Sequence, residues 1–231
     1  MESTKTFGFV RKEKILEKLF LSKLFWLILM IFLFGYPIYK SLNRTMPKPL
    51  PKFGNIKNFI LTDQHGNEFN SNKLDGQVSI ASFAFTSCPT TCPAIMKKMQ
   101  KIQKRVRGLG TKISLLTFSV DPQYDTPTVL DKYAKKLHAN PYIWSFLTGD
   151  KENVKNIIVK NFLLPMGDKE AIQKKVNSGE VTIFDITHSG RVVLIDQNKE
   201  IRGYYSLEKN SINKLMIDTG LLVNNAFRNI K

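Results

Sequence analysis

Cys88 and Cys92 stand four residues apart and are the only two cysteines in 231 residues; three histidines, His65, His138 and His188, accompany them. Thiolates and imidazoles hold copper or zinc, and a thiolate also attacks disulfides. One short-range cysteine pair cannot brace a chain of this length, so a disulfide-stapled fold is excluded and the pair reads as a site. It lies just past the apolar run Val78–Phe85, which has the composition of a buried central strand. After it, Pro93 and the spacing of Ile95, Met96, Met99, Ile102 and Val106 predict a helix over Ala94–Val106. Residues four apart at a helix start share one face, where free N–H groups favour negative charge on sulfur. The usual redox spacing has two intervening residues; here there are three.

His188 lies 96 residues after Cys92, just before a strand predicted at Arg191–Ile195. In a thioredoxin-like sheet the loop into that strand lies against the helix-start motif. Thioredoxins place a cis-proline there; this chain has Thr187-His188-Ser189-Gly190. An imidazole at that position converges on the two sulfurs. Two soft thiolates and one imidazole suit three-coordinate Cu(I), and Cu(II) with a further ligand. Zinc is the rival, but structural zinc prefers four protein ligands and only three good ones are found. Met96 and Met99 read as core residues rather than thioether ligands. His65 falls in the polar turn Thr62–Asn67, and His138 at a helix end facing solvent. The other reading of the pair is a redox couple that cycles through a disulfide.

These donors need a scaffold. Strands are expected at Ile56–Leu61, Val78–Phe85, Ile113–Val120 and Trp144–Leu147. A helix is expected over Thr126–His138 with Asp125 as its cap, and another after Asp150 as far as about Phe162. Leu164–Asp185 reads as an insertion with a charged helical centre. Arg191–Ile195 and Ile201–Tyr205 form a hairpin, and a terminal helix starts at Ser206 or Leu207. Strands alternating with helices, closed by a hairpin and a helix, define an α/β class of thioredoxin-like order.

The net charge is +16, and half of the excess sits in residues 1–57 beside a hydrophobic run. That asymmetry points to membrane topology before nucleic acid, so no nucleic-acid partner is expected. Lys97, Lys98, Lys101, Lys104, Arg105 and Arg107 read as the solvated side of one amphipathic helix. Leu24–Tyr39 carries no charge and is flanked by Lys23 and Lys40, which can snorkel. No small-residue cleavage site follows it, so it reads as an uncleaved transmembrane anchor. The expected organisation is a short basic cytoplasmic tail (1–23), the anchor (24–39), a Pro-rich linker (40–55) and the folded domain (56–231) on the outer side of the membrane.

Four stretches occur in the right order to resemble the SCO/SenC family of copper-binding proteins, over roughly residues 54–228. They are Phe83 to Pro93 with both cysteines, Ser119 to Pro127, Trp144 to Asp150, and His188-Ser189 leading into Val193 to Asp196. The resemblance implies copper held by Cys88, Cys92 and His188. It implies help in assembling the dinuclear copper centre of cytochrome c oxidase, whose copper-bearing subunit would be the partner. The family often has an acidic residue between its cysteines and another just before its histidine; here these positions hold threonines, with Asp185 three residues upstream of His188. Asp121 and Asp125 resemble family positions near the site.

Overall fold

The computed structural model describes residues 22–43, 49–88, 92–176, 179–188 and 190–226, with the side chains of 168–176, 179–188 and 225–226 outside that description. The chain divides into two units, Met1–Pro49 and Leu50–Lys231.

Within the first unit, Lys23–Leu42 is one helix, α1, of 20 residues with mean hydropathy 1.6, long and apolar enough to cross a bilayer. It is a few residues longer than the uncharged stretch alone suggests, because Lys23 and Lys40 are helical too. Its middle, Ile31–Gly35, widens to a π-turn just ahead of Pro37. Proline has no N–H to give and its ring crowds the carbonyl four residues back, so the ladder opens there.

The second unit is built on an eight-stranded sheet. In chain order its elements are β1 (Gly54–Asn55), β2 (Ile60–Asp63), β3 (Glu68–Asn70), β4 (Val78–Ala84), α2 (Cys92–Val106), β5 (Ile113–Ser119), α3 (Pro127–Lys136), β6 (Trp144–Thr148) and α4 (Lys151–Asn156). They continue with β7 (Met166–Val176), β8 (Gly179–His188), β9 (Val192–Ile195), β10 (Glu200–Tyr205) and α5 (Lys209–Ala226). The sheet order is β1-β10-β9-β4-β5-β6-β2-β3, with β7 and β8 forming a separate pair. β4, β5 and β6 run parallel, joined by the helices α2 and α3, while β9 lies antiparallel on the other side of β4. A βαβ core closed by an antiparallel hairpin and a last helix is the thioredoxin-like arrangement that the sequence predicts.

The strand register fixes two faces. Thr117 stands beside Ser82 and Phe146, and Phe118 beside Phe83 and Leu147. Neighbouring residues of a strand point to opposite faces, so these rows are separated by the thickness of the sheet. On one face Phe118 packs with Phe83, Phe59 and Phe162, ring centroids 4.9 to 5.7 Å apart. On the other, the Trp144 indole donates to the Thr117 hydroxyl at 2.9 Å. Thr117 meets Ser82 Oγ at 2.9 Å, and Ser82 donates to the Leu116 carbonyl at 3.2 Å. α3 covers this polar row through Tyr133, whose ring meets Phe146 at 6.4 Å. α2 lies beside α3, tied by Gln100 to the Leu137 carbonyl and by Gln103 to the His138 carbonyl.

Four expectations need correction. The early strand is Ile60–Asp63 rather than Ile56–Leu61, because pairing with β3 and β6 starts only at Ile60. The stretch expected to be charged helix is the hairpin β7–β8, whose pairing from Met166 to His188 overrides the helix formers in its first arm. Asp125 does not cap α3: the Thr126 hydroxyl accepts the Val129 N–H at 3.4 Å instead. The Pro-rich spacer gives way to folded chain before residue 56, since Phe53 N–H donates to the Ile201 carbonyl at 2.9 Å and Gly54–Asn55 pairs with β10. Asp150 does cap α4, accepting the Asn153 N–H at 2.9 Å.

Candidate metal centre

β4 ends at Ala84 and a single turn carries the chain to Cys88, whose N–H donates to the Phe85 carbonyl at 3.4 Å. Cys92 is the first residue of α2. Both cysteines are buried, Cys92 completely and Cys88 to within 5%. The first N–H of α2, from Cys92, points at Cys88 Sγ at 3.4 Å. The Phe85 N–H points at Cys92 Sγ at 3.5 Å. Each sulfur therefore sits on a backbone donor. The Cys92 N–H belongs to the first turn of α2, where backbone donors lack carbonyl partners and stabilise negative charge on sulfur. The structure thus brings together the two cysteines that the sequence singles out. Pro89–Thr91, between them, lie outside the described residues.

Beside the pair is a buried carboxylate. Asp125 accepts the Thr86 N–H at 3.1 and 3.3 Å, the Thr86 hydroxyl in a short contact, and the Ser119 hydroxyl at 2.6 Å. Burial pushes its carboxyl above the usual carboxylate range, against the lowering effect of those donors, and the charge of nearby Asp121 adds a small push upward. Asp121 is also buried; its N–H donates to Ser119 Oγ at 3.2 Å and its carbonyl accepts the N–H of Asp125. Tyr133 completes the group. Burial first, then the charges of Cys92, Asp125 and Cys88, push its phenol up to about 12. Asp125, Tyr133, Thr86, Phe85 and Phe146 line one narrow crevice. Tyr133, Thr86 and Ser119 escaped the sequence reading, since a half-buried tyrosine on a helix carries no signal of its neighbours.

His188 is the last residue of β8, where its backbone pairs with Met166. β9 pairs with β4 through Ser79 with Ile195, Ile80 with Leu194 and Ala81 with Val193. The imidazole itself lies outside the described residues. Among the described residues no three His, Cys, Asp or Glu side chains gather as a metal site. The other histidines stand apart. His65 is exposed in the β2–β3 turn, with Nδ1 3.7 Å from Asp131. His138 is exposed at the end of α3 with φ 50°. Met96 and Met99 are fully buried in the core, as expected. The lysines and arginines of α2 face solvent or are half-buried.

A thioredoxin-like sheet that presents two buried cysteines at the start of the helix after its central strand defines a dithiol-site protein. Residues 49–219 match the SCO1/SenC family, and the chain belongs to that family. It is 32% identical to a SCO2-like protein of Rickettsia prowazekii (strain Madrid E), over 79% of this chain and 89% of that protein. Yeast Sco1 solved with copper bound is 27% identical, with a TM-score of 0.54 over 72% of this chain and 88% of that one. BsSco, described as a member of the Sco family of cytochrome c oxidase assembly proteins and as containing a disulfide switch, shares the fold: its TM-score is 0.60 at 24% identity, over 78% of this chain and 98% of that one.

Proposed function

We propose that this chain is a copper metallochaperone, which binds copper through Cys88, Cys92 and His188 and hands it to the copper-bearing subunit of cytochrome c oxidase during assembly. The observation that carries the reading is the sulfur pair at the start of α2, each sulfur facing a backbone N–H. Buried thiolates are soft donors that fit copper better than hard cations. The place of His188 at the end of β8, shortly before β9 pairs with the central strand β4, supports it as the third ligand. Copper in yeast Sco1 and membership of the same family support the cargo. Oxidase assembly, which BsSco's family is named for, supports the recipient. Three ligands leave an open side for a partner's thiolate, so copper passes by ligand exchange and never as the free ion. α1 is the anchor, with its basic flank inside and the folded unit outside.

Full-length protein in detergent, reduced and loaded with Cu(I), tests the ligand set. The wild type is expected to hold one copper per chain; Cys88→Ser and Cys92→Ser to hold none; His188→Ala to bind at least tenfold more weakly. Unchanged copper in any one variant removes that residue from the site. A strain lacking the chain should lose cytochrome c oxidase activity, restored by the wild type and not by His188→Ala.

Thiol–disulfide exchange with an envelope protein is the second reading, favoured by two sulfurs lying together. It requires no imidazole. Oxidase activity restored by His188→Ala would transfer the role to exchange.

A further inference from the structure

Asp125 stands where a helix cap is expected, yet α3 is capped by its neighbour Thr126. Its carboxylate is therefore not needed to start the helix. Burying a carboxylate is unfavourable, and here it is offset by three donors on two elements: the Thr86 N–H and hydroxyl from the cysteine loop, and the Ser119 hydroxyl from the end of β5. Between Phe85, whose carbonyl holds Cys88, and Cys88 itself, Thr86 is the residue gripped from the side. β4 ends at Ala84, and Thr86 stands two residues before Cys88 in the turn that follows. A side chain that fixes Thr86 therefore bears directly on where the Cys88 sulfur sits relative to Cys92.

We propose that Asp125 is a positioning residue for the dithiol: its carboxylate locks the Thr86–Cys88 turn so that both sulfurs reach one soft atom. The inference rests on the copper reading above only for the identity of that atom. Copper binding forms two copper–sulfur bonds and releases the two thiol protons to solvent, with no change of oxidation state. A carboxylate that grips the turn sets the sulfur separation before the metal arrives, and such supporting groups typically contribute 10–100-fold in metal affinity. Asn has the same outline but no charge, and its amide N–H₂ group meets donors where Asp offers acceptors only.

Three measurements on the full-length protein in detergent test this. The first is Cu(I) affinity, by competition with a coloured chelator. The second is the copper(II)–sulfur charge-transfer absorption, which depends on how the sulfurs are placed. The third needs no copper: phenylarsine oxide bridges two thiols through two arsenic–sulfur bonds and releases one water, and it binds tightly only when both sulfurs are within reach. The chain has no other cysteine to confuse that reading. Asp125→Asn is expected to weaken Cu(I) and arsenical binding about tenfold each and to shift the absorption. Asp218→Asn is the matched control: that carboxylate is also buried and accepts the Tyr205 hydroxyl at 2.7 Å, but on α5. It should lower the melting temperature while leaving both affinities within twofold. A folded Asp125→Asn protein with wild-type arsenical affinity and an unshifted spectrum overturns the proposal. If Asp125→Asn fails to fold, Thr86→Val, which removes one donor and keeps the shape, decides in its place: a threefold loss supports the clamp, and wild-type behaviour overturns it. A wild type that takes the arsenical but no copper sinks the metallochaperone reading and leaves the clamp to the arsenical result.

Discussion

The two faces of the central sheet are built on opposite principles. Behind it, Phe59, Phe83, Phe118 and Phe162 interlock without a polar atom among their side chains. In front, Ser82, Thr117 and Trp144 form a buried hydrogen-bonded row, which Ser119 and Asp125 extend to the cysteine turn. Apolar burial is strong and undirected, so the rear face can supply stability but cannot fix a sulfur to a fraction of an ångström. Buried hydrogen bonds contribute little net energy, but each demands one geometry. The site lies on the face that specifies position, backed by the face that supplies the energy.

The largest effect that separates the faces should come from Phe118→Ala. Phe118 is fully buried and its ring touches three others. Removing it should cost about 3–5 kcal/mol, read as a lower urea midpoint. At temperatures where the variant is still folded, its Cu(I) affinity should stay within twofold of wild type. A large loss of affinity in the folded variant would show that the rear face also positions the sulfurs, and the contrast would break.

Trp144→Phe probes the front face in the middle of its row. The indole N–H is the donor to Thr117, and the ring stacks on Phe146 at 5.1 Å. Phe retains part of the stacking and leaves Thr117 without that donor. The expected loss is about 1–3 kcal/mol, combining a buried acceptor left unmet with a smaller ring. Thr117→Val in the Trp144→Phe background should add less than Thr117→Val alone, because the shared hydrogen bond is already gone. Strict additivity in that double-mutant cycle would mean the row is not one network.

How far these elements can be read from sequence follows the same division. Apolar runs such as Val78–Phe85 and Ile113–Val120 were legible because central parallel strands are apolar on both faces. The cysteine pair was legible because Pro93 marks the helix start behind it. The hairpin β7–β8 was not. Its first arm, from Met166 to Val176, is rich in Lys, Glu, Gln and Ala, which favour helix, while its second arm carries Val181, Thr182, Ile183 and Phe184. A strand recruits its partner regardless of the partner's preference, and the β-branched and aromatic run of the second arm was the signal that could have been used. The cap was misplaced by one residue although Pro127 held the answer. Proline favours the first helical position, which makes Thr126 the cap and frees Asp125. The clamp on Thr86 could not be read at all, since it joins residues 39 apart through a side chain.

Tyr133→Phe should give the smallest effect and the sharpest view of the front face. The phenol titrates at about 12, against about 10 for an exposed tyrosine, because burial and the charges of Cys92, Asp125 and Cys88 all oppose a tyrosinate there. A group whose folded pKa lies above its unfolded value adds stability that is fully present below the unfolded pKa. Tyr133 therefore contributes its share below pH 10 and loses it as pH rises from about 10 to about 12. Tyr133→Phe removes that loss, so the gap in stability between wild type and variant should narrow or reverse across this window while staying flat from pH 7 to 9. Spectrophotometric titration should show the absorbance step above pH 11 reduced by one tyrosine. If Tyr133 titrated near 10, as an exposed tyrosine does, its hydroxyl would be facing water, and the front face would be open where the comparison needs it closed.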